Sequence, residues 1–457
     1  MPIGSICRKV VLGFVLAAGF STPAFAESLK DVLADVYEGS PSLQQTRASL
    51  RSTDEGVVSA RARLLPSVGF SGKVSGSFSD GSLGNSESGS STLGISASMP
   101  LYDLSSQIGV DVAEEAVVGA RHDLASAEQT ALAQAIEAYM QVRQADEIVL
   151  LRENNLRVIQ EELRAAQDRF EVGEITRTDV ALAEAALAQS QSALAQARGD
   201  KSRALEGFRG AVGRDPKGLS APGVLPVVPD TVVAAKAIAA RGHPDLMAAQ
   251  SAVRRAELQL AQAEATSRAT VSLSGSLGFT ESLSSDTYSN SANFELSATK
   301  PIYQGGTLDG AVRQAAAGRD AARAVLNLTK LGVDQQIGAA YARLNVARAN
   351  LEASDLQINA AQIAFDGVRE EATLGARTTL DVLNAEQNLL DARANRVIAN
   401  TELVVSSYSV LAAIGQLSAV KLKLKADHYD PDHNYSAVTS ASNRGFQLDK
   451  VLGKLGK

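Results

Sequence analysis

The chain has 457 residues, of which 44 are basic and 51 are acidic, and its net charge of −7 argues against nucleic acid as a partner. Aromatic residues make up only 4% of the chain and tryptophan is absent, which is unlike an ordinary globular core. After the first 26 residues, no apolar stretch reaches the roughly 18 residues of a membrane-spanning helix, so we expect any entry into a membrane to be made by strands.

The N-terminus is typical of a secretory signal peptide. The basic pair RK precedes the short apolar run VVLGFVLAAGF, and a small-residue cleavage site, AFA, ends at Ala26. We therefore expect Glu27 to be the first residue of the mature protein. The only cysteine, Cys7, lies in the segment to be removed, so the mature chain is expected to contain neither a disulfide nor a lipid-modified N-terminus.

A first helical segment is followed by a pair of predicted strands. In VGFSGKVSGSF, small or polar residues alternate with Val68, Phe70, Val74 and Phe78, and TLGISASMPL alternates in the same way. Each segment has about ten residues, the length that crosses an outer membrane when tilted. The stretch between them, SDGSLGNSESGSS, predicts an exposed hairpin loop. A soluble β-sandwich is the alternative interpretation of these strands.

A long helix is predicted next. Residues 104–170 contain no proline and are rich in good helix formers, which indicates a rod of about 100 Å at roughly 1.5 Å per residue. A seven-residue apolar repeat along it is typical of coiled-coil packing, with an ordinary helical bundle as the alternative. The repeat consists of Val142, Val149, Leu156, Leu163 and Phe170.

The chain then repeats itself. DRFEVGEITRTDVALAEAALAQ returns as EEATLGARTTLDVLNAEQNLLDA, with Gly173 matching Gly375 and Asp179 matching Asp381 at an offset of 202. SMPLYD returns as TKPIYQ at nearly the same offset. The second half accordingly predicts a strand pair, VSLSGSLGF and ANFELSATKP, a loop, ESLSSDTYSN, and a second long helix over 307–373. Units of this length are too long for a solenoid repeat, so each is half of one architecture.

These features divide the chain into four parts. We predict a signal peptide over 1–26, a first repeat over 27–228, a second repeat over 229–418, and a C-terminal tail over 419–457. The tail contains HYDPDH, which offers a loose metal site, but a flexible terminal segment is the favoured interpretation. No phosphate loop, zinc spacing or nucleophile motif occurs in the sequence, so we expect no enzyme activity, cofactor or metal.

The order of these elements resembles the TolC family of outer-membrane channel proteins over essentially the whole mature chain. RFEVGEITRTDV, LPSVGFSG, PLYD, PIYQGG and TLGARTTLDVLNAEQ are the most family-like pieces. The resemblance implies an α+β membrane protein. Three identical chains, with four strands each, would close one twelve-stranded β-barrel in the outer membrane of a Gram-negative bacterium, and an α-helical coiled-coil tunnel would continue it across the periplasm.

The resemblance also implies a function. Such a protein is the exit duct of a tripartite efflux pump or a type I secretion system, docked with a periplasmic adaptor and an inner-membrane transporter, and passes drugs or proteins to the outside. The missing lipidation cysteine favours the secretion-capable branch. A periplasmic coiled-coil scaffold and a surface adhesin are the alternatives.

The repeated turn is the candidate site. Gly173 and Gly375 are expected to permit the bend of each helical hairpin. In the family, the second hairpin lines the periplasmic entrance, so the resemblance implies that Asp381 rings the constriction in three copies. Asn384 stands where close relatives carry a second such aspartate, which leaves this ring less acidic.

The resemblance further implies a closed-state link between hairpins. Arg377 matches the arginine of that link, and Thr178 and Asp179 match its acceptors. Ala372 stands where the best-known member has a tyrosine that reinforces the link. From the residues alone, the alternative is that these side chains are ordinary solvated charges at helix ends.

Overall fold

The computed structural model of this chain describes residues 27–81 and 84–442. The expected signal peptide and the part of the tail beyond residue 442 lie outside the described residues. No helix in the two described ranges is both long enough and apolar enough to cross a membrane.

The chain runs through the same order of elements twice. The first set consists of α1 (Leu29–Gly39), α2 (Pro41–Ala62), β1 (Ser67–Gly81), β2 (Gly84–Tyr102), α3 (Leu104–Glu171) and α4 (Arg177–Val212). The second set consists of α5 (Val232–Gly242), α6 (Pro244–Ala265), β3 (Thr270–Ser282), β4 (Tyr288–Thr299), α7 (Thr307–Thr373) and α8 (Thr379–Ala413). Two short helices follow, α9 (Ala419–Leu422) and α10 (Pro431–Ser442). Each set supplies a strand pair and a long helical hairpin.

The long helices form as predicted. α3 has 68 residues and α7 has 67, and their limits agree with the expected ones to within one residue. α3 packs along α4, and α7 packs along α8. The heptad residue Val149 is buried between α3 and α4 in a cluster with Leu194, and Phe365 is buried between α7 and α8 in a cluster with Val382. Phe170, at the end of its heptad series, is 43% exposed beside the hairpin turn.

The largest apolar core lies midway along the long helices, where α1, α5 and α9 join them. Two tyrosines at equivalent positions of the repeats bind backbone segments that lie against this core. The Tyr139 hydroxyl donates to the carbonyl oxygens of Glu27 at 3.0 Å and Ser220 at 2.7 Å. The Tyr341 hydroxyl donates to the carbonyl oxygen of Pro229 at 2.7 Å. The expected first mature residue and the linker between the repeats are therefore both held against the helical layer.

The four strands form one antiparallel sheet in the order β1-β2-β3-β4. Partners across the sheet place apolar side chains opposite one another, as in the row Phe70, Ile95, Leu277 and Ala292. The predicted alternation is therefore correct in phase in all four strands. A register shift between Pro100 and Tyr102 gives one exception, since Tyr102 rather than Leu101 lies opposite Val271.

The two sheet faces differ sharply in chemistry. Apolar side chains on one face are open to the surroundings, with Phe70 and Phe294 73% and 84% exposed. The other face carries rows of hydroxyls that bond across the strands, such as Ser272 to Ser297 at 2.8 Å and Thr92 to Thr280 at 3.2 Å. A large exposed apolar surface of this kind marks contact with a protein or a membrane.

The predicted hairpin loops are wrong in extent. β1 and β2 continue through most of the serine-rich stretch 79–91, and the loop between β3 and β4 shortens to residues 283–287. The strands have 15, 19, 13 and 12 residues rather than about ten. Serine pairs in β1 and β2, at 3.0 and 2.7 Å, join the strands here. Cross-strand hydroxyl pairs support a sheet without apolar residues, which the periodicity argument did not anticipate.

The tail up to residue 442 packs on the first repeat. The Arg121 guanidinium of α3 pairs with Asp432 at 2.7 Å, and the Asn434 amide donates to the Asp54 carboxylate of α2 at 2.7 Å. Tyr435 packs against the apolar cluster that joins α2 and α3. The expectation of a flexible tail does not hold for these residues. No cluster of metal-ligating side chains is found within the described ranges, and Asp432 of HYDPDH is bound by an arginine instead.

Candidate functional site: the repeated hairpin turns

Both hairpin turns begin with the same helix-ending geometry. At the end of α3, the Gly173 amide donates to the Phe170 carbonyl at 3.0 Å and the Glu174 amide donates to the Arg169 carbonyl at 2.9 Å. At the end of α7, the amides of Gly375 and the next residue make the corresponding bonds at 3.1 and 2.9 Å. This is the Schellman motif, which satisfies helix carbonyls that have no partner within the helix.

Glycine is required at the bend itself. Gly173 has φ +79° and Gly375 has φ +77°, in the left-handed region that side chains rarely adopt. An added Cβ would meet nothing within 4 Å at either position. The requirement for glycine is therefore conformational rather than steric.

Each turn ends with a capping box that starts the return helix. The Thr176 hydroxyl and amide donate to the Asp179 carboxylate at 2.7 and 2.9 Å, and the Asp179 amide donates back to the Thr176 hydroxyl at 3.3 Å. Thr378 and Asp381 repeat these bonds at 2.8, 3.0 and 3.2 Å. The spacing Thr-x-x-Asp is close to the sequence signature of a capping box, so this role was readable from the sequence.

Hydrogen bonds within the box lower the pKa of both carboxyls. The Thr176 hydroxyl, and then its amide, hold the pKa of Asp179 below its usual range. The Thr378 amide, and then its hydroxyl, do the same for the pKa of Asp381, with a smaller effect from the nearby Arg377 charge. Both aspartates are therefore ionised at neutral pH and lie in the first turns of their helices, where the helix dipole favours a negative charge.

Arg377 has a partner inside its own turn. Its Nε donates to the Glu371 carboxylate at 2.8 Å, and this bond raises the pKa of the Arg377 guanidinium above its usual value. Within one chain the structure does not bring Arg377 to Thr178 or Asp179. Thr178 is exposed, and the Asp179 carboxylate is bound by its capping threonine.

The remaining candidates lie on either side of the turn. Ala372 is buried beside Phe365 and Val382, so its small side chain allows α7 and α8 to approach closely at the tip. Asn384 is exposed, one helical turn after Asp381 on the same face of α8. Asp381 and Asn384 thus form a polar edge on the exposed side of the second hairpin.

Sequence reasoning missed a buried polar contact between the two hairpins. The Asn155 amide of α3 donates to the Glu386 carboxylate of α8 at 3.3 Å, and these residues are only 5% and 7% exposed. Nearer the tips, Arg369 of α7 lies 3.8 Å from Glu162 of α3. At the repeat offset of 202, Glu386 corresponds to Glu184, but nothing in the sequence indicates which of the two glutamates is buried.

Comparison with known proteins places these turns in context. The family model described as Outer membrane efflux protein matches residues 32–214 and 237–416, which include both turns. The chain is 34% identical over 438 residues to the Outer membrane efflux protein BepC of Brucella suis biovar 1, covering 94% of this chain and 95% of that protein. It is 26% identical over 415 residues to the Alkaline protease secretion protein AprF of Pseudomonas aeruginosa, covering 86% and 84%.

The fold also matches a solved structure. The Campylobacter jejuni CmeC outer membrane channel superimposes with a TM-score of 0.75, covering 92% of this chain and 90% of that one. The sequence identity over this match is 16%, so the likeness shows a shared fold. The four-stranded sheet and the paired helical hairpins are accordingly the architecture of a TolC-like channel subunit.

Proposed function

Because this chain belongs to the outer membrane efflux protein family, we propose that it serves as a passive exit duct, with the sheet in the outer membrane and the helical hairpins in the periplasm. The observation that carries this proposal is the sheet. Its apolar side chains point to one face and its hydroxyls to the other, which is the pattern of a barrel wall between lipid and water. Members of this family are transport channels, not enzymes.

A single chain does not close such a wall. β1 and β4 form the two edges of the four-stranded sheet, and unpaired backbone groups at an open edge are not viable in lipid. We propose that β4 of one copy pairs with β1 of the next and that three copies complete a twelve-stranded barrel, as the TolC resemblance implies. Under this arrangement the homotrimer is the smallest unit that functions.

The edge strands carry complementary charges that favour this pairing. Among the described residues of the sheet's polar face, Lys73 on β1 and Glu295 on β4 are the charged side chains, and both are exposed. Lys73 is six residues from the helix-proximal end of β1 at Ser67, and Glu295 is four residues from that end of β4 at Thr299. The difference of two residues, about 7 Å, is within reach of long side chains on neighbouring strands.

The duct requires partners on its periplasmic side. We propose that a periplasmic adaptor docks on the helical hairpins and that an inner-membrane transporter supplies the energy. BepC is named as an outer membrane efflux protein, which supports efflux as the first candidate function. AprF is named as an alkaline protease secretion protein, which supports protein secretion as a second candidate, and the family resemblance implies a type I system for it.

The repeated turns are proposed to form the gate of the duct. In a trimer, Asp381 and Asn384 of three copies would line the entrance, where three like charges focus the field on passing ions. Arg377 would close the gate by binding Thr178 or Asp179 of a neighbouring hairpin, at the cost of its present bond to Glu371. Since the Arg377–Glu371 bond is solvent-exposed, exchanging it for a bond to the neighbouring hairpin changes the free energy only slightly.

Gene deletion tests the proposed function directly. The deletion strain should accumulate an efflux dye such as ethidium, lose one or more proteins from the culture medium, or show both defects. The wild-type gene should restore the lost property, whereas a matched gene with Phe294→Arg on the apolar sheet face should not. Unchanged dye accumulation together with an unchanged secreted proteome would contradict a duct and favour the scaffold or adhesin alternatives.

A further inference from the structure

The second hairpin is buried along two stripes of α8. One stripe, including Val382 and Leu389, packs on α7. The other has heptad spacing and includes Glu386, which bonds to Asn155 of α3. Its four members, Thr379, Leu383, Glu386 and Leu390, are all no more than 8% exposed. α8 is therefore held on both sides, by its own hairpin partner and by the first hairpin.

The first hairpin lacks the second of these contacts. α4 packs on α3 through Leu194 and Ala197, just as α8 packs on α7. The repeat counterparts of the second α8 stripe, however, are all exposed in this chain. They are Arg177, Ala181, Glu184 and Ala188. The same positions are thus buried in one repeat and open in the other.

The long helix of the second repeat has a matching open site. Asn155 of α3, which binds Glu386, corresponds to Gln357 of α7 at the repeat offset of 202. Gln357 is exposed, whereas Asn155 is 5% exposed. The amide that is buried in the first repeat is therefore open in the second.

From these open faces we infer that α4 of one copy packs on α7 of the next copy as α8 packs on α3 within the chain, with the Gln357 amide donating to the Glu184 carboxylate. The inference rests on the proposed trimer and assigns residues to its helical boundary. Both partners keep the chemistry of the observed pair, since an amide again faces a carboxylate. Each Glu184 would then be part of a buried charge-assisted bond, in which the partner amide offsets the cost of desolvation.

Crosslinking between copies tests the pair. In a Cys7→Ser background, the double variant Glu184→Cys/Gln357→Cys, treated in membranes with the short crosslinker bis-maleimidoethane, should give covalent dimers and trimers on a denaturing gel. Gln189→Cys/Gln357→Cys is the matched control. Gln189 is exposed on α4 but lies outside the inferred contact, because its counterpart on α8, Asp391, is exposed and not packed on α3. Asn155→Cys/Glu386→Cys should react within one chain and give no ladder.

Charge exchange gives a second readout that does not depend on cysteine reactivity. Gln357→Glu should lower the temperature at which the detergent-extracted trimer dissociates, because it places two carboxylates together, and adding Glu184→Gln should restore it. Trimers that form normally but show control-level crosslinking and no rescue by the exchange would overturn this inference and leave the proposed duct intact. A wild-type protein that is never trimeric would instead contradict the duct itself.

Discussion

At the scale of single residues, the aspartate of the hairpin turn has a structural task that accounts for its repetition. Asp179 and Asp381 each close a capping box with the threonine three residues before them. The family resemblance assigns the pore entrance to the second hairpin alone, so conduction would explain only Asp381. Helix capping explains both aspartates, and the proposed pore role of Asp381 is then an addition to it.

Low pH should destabilise both hairpin turns. The pKa of each aspartate is lower in the folded turn than in the unfolded chain, so the ionised form stabilises the turn above the unfolded pKa of about 4. This stabilisation is lost as the pH falls through the lowered folded pKa. Hydrogen exchange, corrected for its intrinsic pH dependence, should therefore speed up in the first turns of α4 and α8 on acidification.

The chain contains an internal control for this experiment. Thr231 caps α5 by accepting a hydrogen bond from the Ala234 amide, without any carboxylate in its box. Amides at the start of α5 should keep their protection at the same low pH. Equal loss of protection at all three helix starts would mean that acid acts on the whole fold rather than on the capping aspartates.

The proposed gate makes a second prediction at this scale. Replacing Arg377 with serine removes the closing link and should raise single-channel conductance in planar bilayers. Replacing Asp381 with alanine should reduce cation selectivity with little loss of trimer. Arg396→Ser is the matched control, since Arg396 forms an exposed bond to Asp355 along the hairpin and should leave currents unchanged. If Arg377→Ser and Asp381→Ala both carry the same currents as the wild type, these residues are ordinary solvated groups at helix ends and do not form a gate.

Some of these residue roles were readable from the sequence and others were not. The glycines and the Thr-x-x-Asp spacing act through local backbone geometry, so the letters alone are sufficient. Glu386 is buried because it contacts Asn155 of α3, which lies 231 residues earlier in the chain. Its counterpart Glu184 is exposed. No local pattern separates two such glutamates. Arg377 likewise prefers the nearby Glu371, a partner that the family comparison did not suggest.

At the scale of elements, the sheet shows where periodicity succeeds and where it ends. Alternation predicted the phase of every strand, because the side chains that face a core or lipid belong to every second residue of a strand. It underestimated β1 and β2, whose outer halves pair through serines and glycines. Those residues weaken the apolar signal without preventing backbone pairing, so strand length was set by the register of the partner strand.

Arginine substitutions distinguish the two sheet faces. Phe70→Arg or Phe294→Arg should each cost about 2–4 kcal/mol near the bilayer midplane, because the charge would face lipid. Leu93→Arg and Leu273→Arg should behave in the same way. Ser71→Arg and Ser274→Arg lie on the hydroxyl face of the same strands and should be tolerated. Heat-resistant trimer in membrane extracts is the readout, and equal damage from both sets would reverse the assignment of the faces.

The edge strands give a separate prediction. Lys73→Glu and Glu295→Lys should each lower trimer stability, because each leaves two like charges on adjoining strands of neighbouring copies. The combined exchange should restore it. Ser96→Glu, on the polar face of an inner strand, is the matched control and should have no such effect. Failure of the combined exchange to rescue either single variant would show that these charges do not meet.

At the scale of the whole molecule, duplication produces one subunit with unequal halves. The tail between α9 and residue 442 packs on the first repeat through Arg121 and Asp54, and among the described residues no corresponding segment packs on the second repeat. α8 is enclosed by its own chain while α4 is open. The sequence predicted the two halves and, through the family resemblance, their assembly. It did not predict this asymmetry, which arises from packing between the halves rather than within either one.

Native mass spectrometry of the protein extracted from outer membranes tests the central claim most directly, that three copies close one duct. Four strands per chain, two open edges and an open face on α4 all require neighbouring copies. We predict a single species with the mass of three processed chains beginning at Glu27. A monomer that retains its full strand content by circular dichroism would contradict the account.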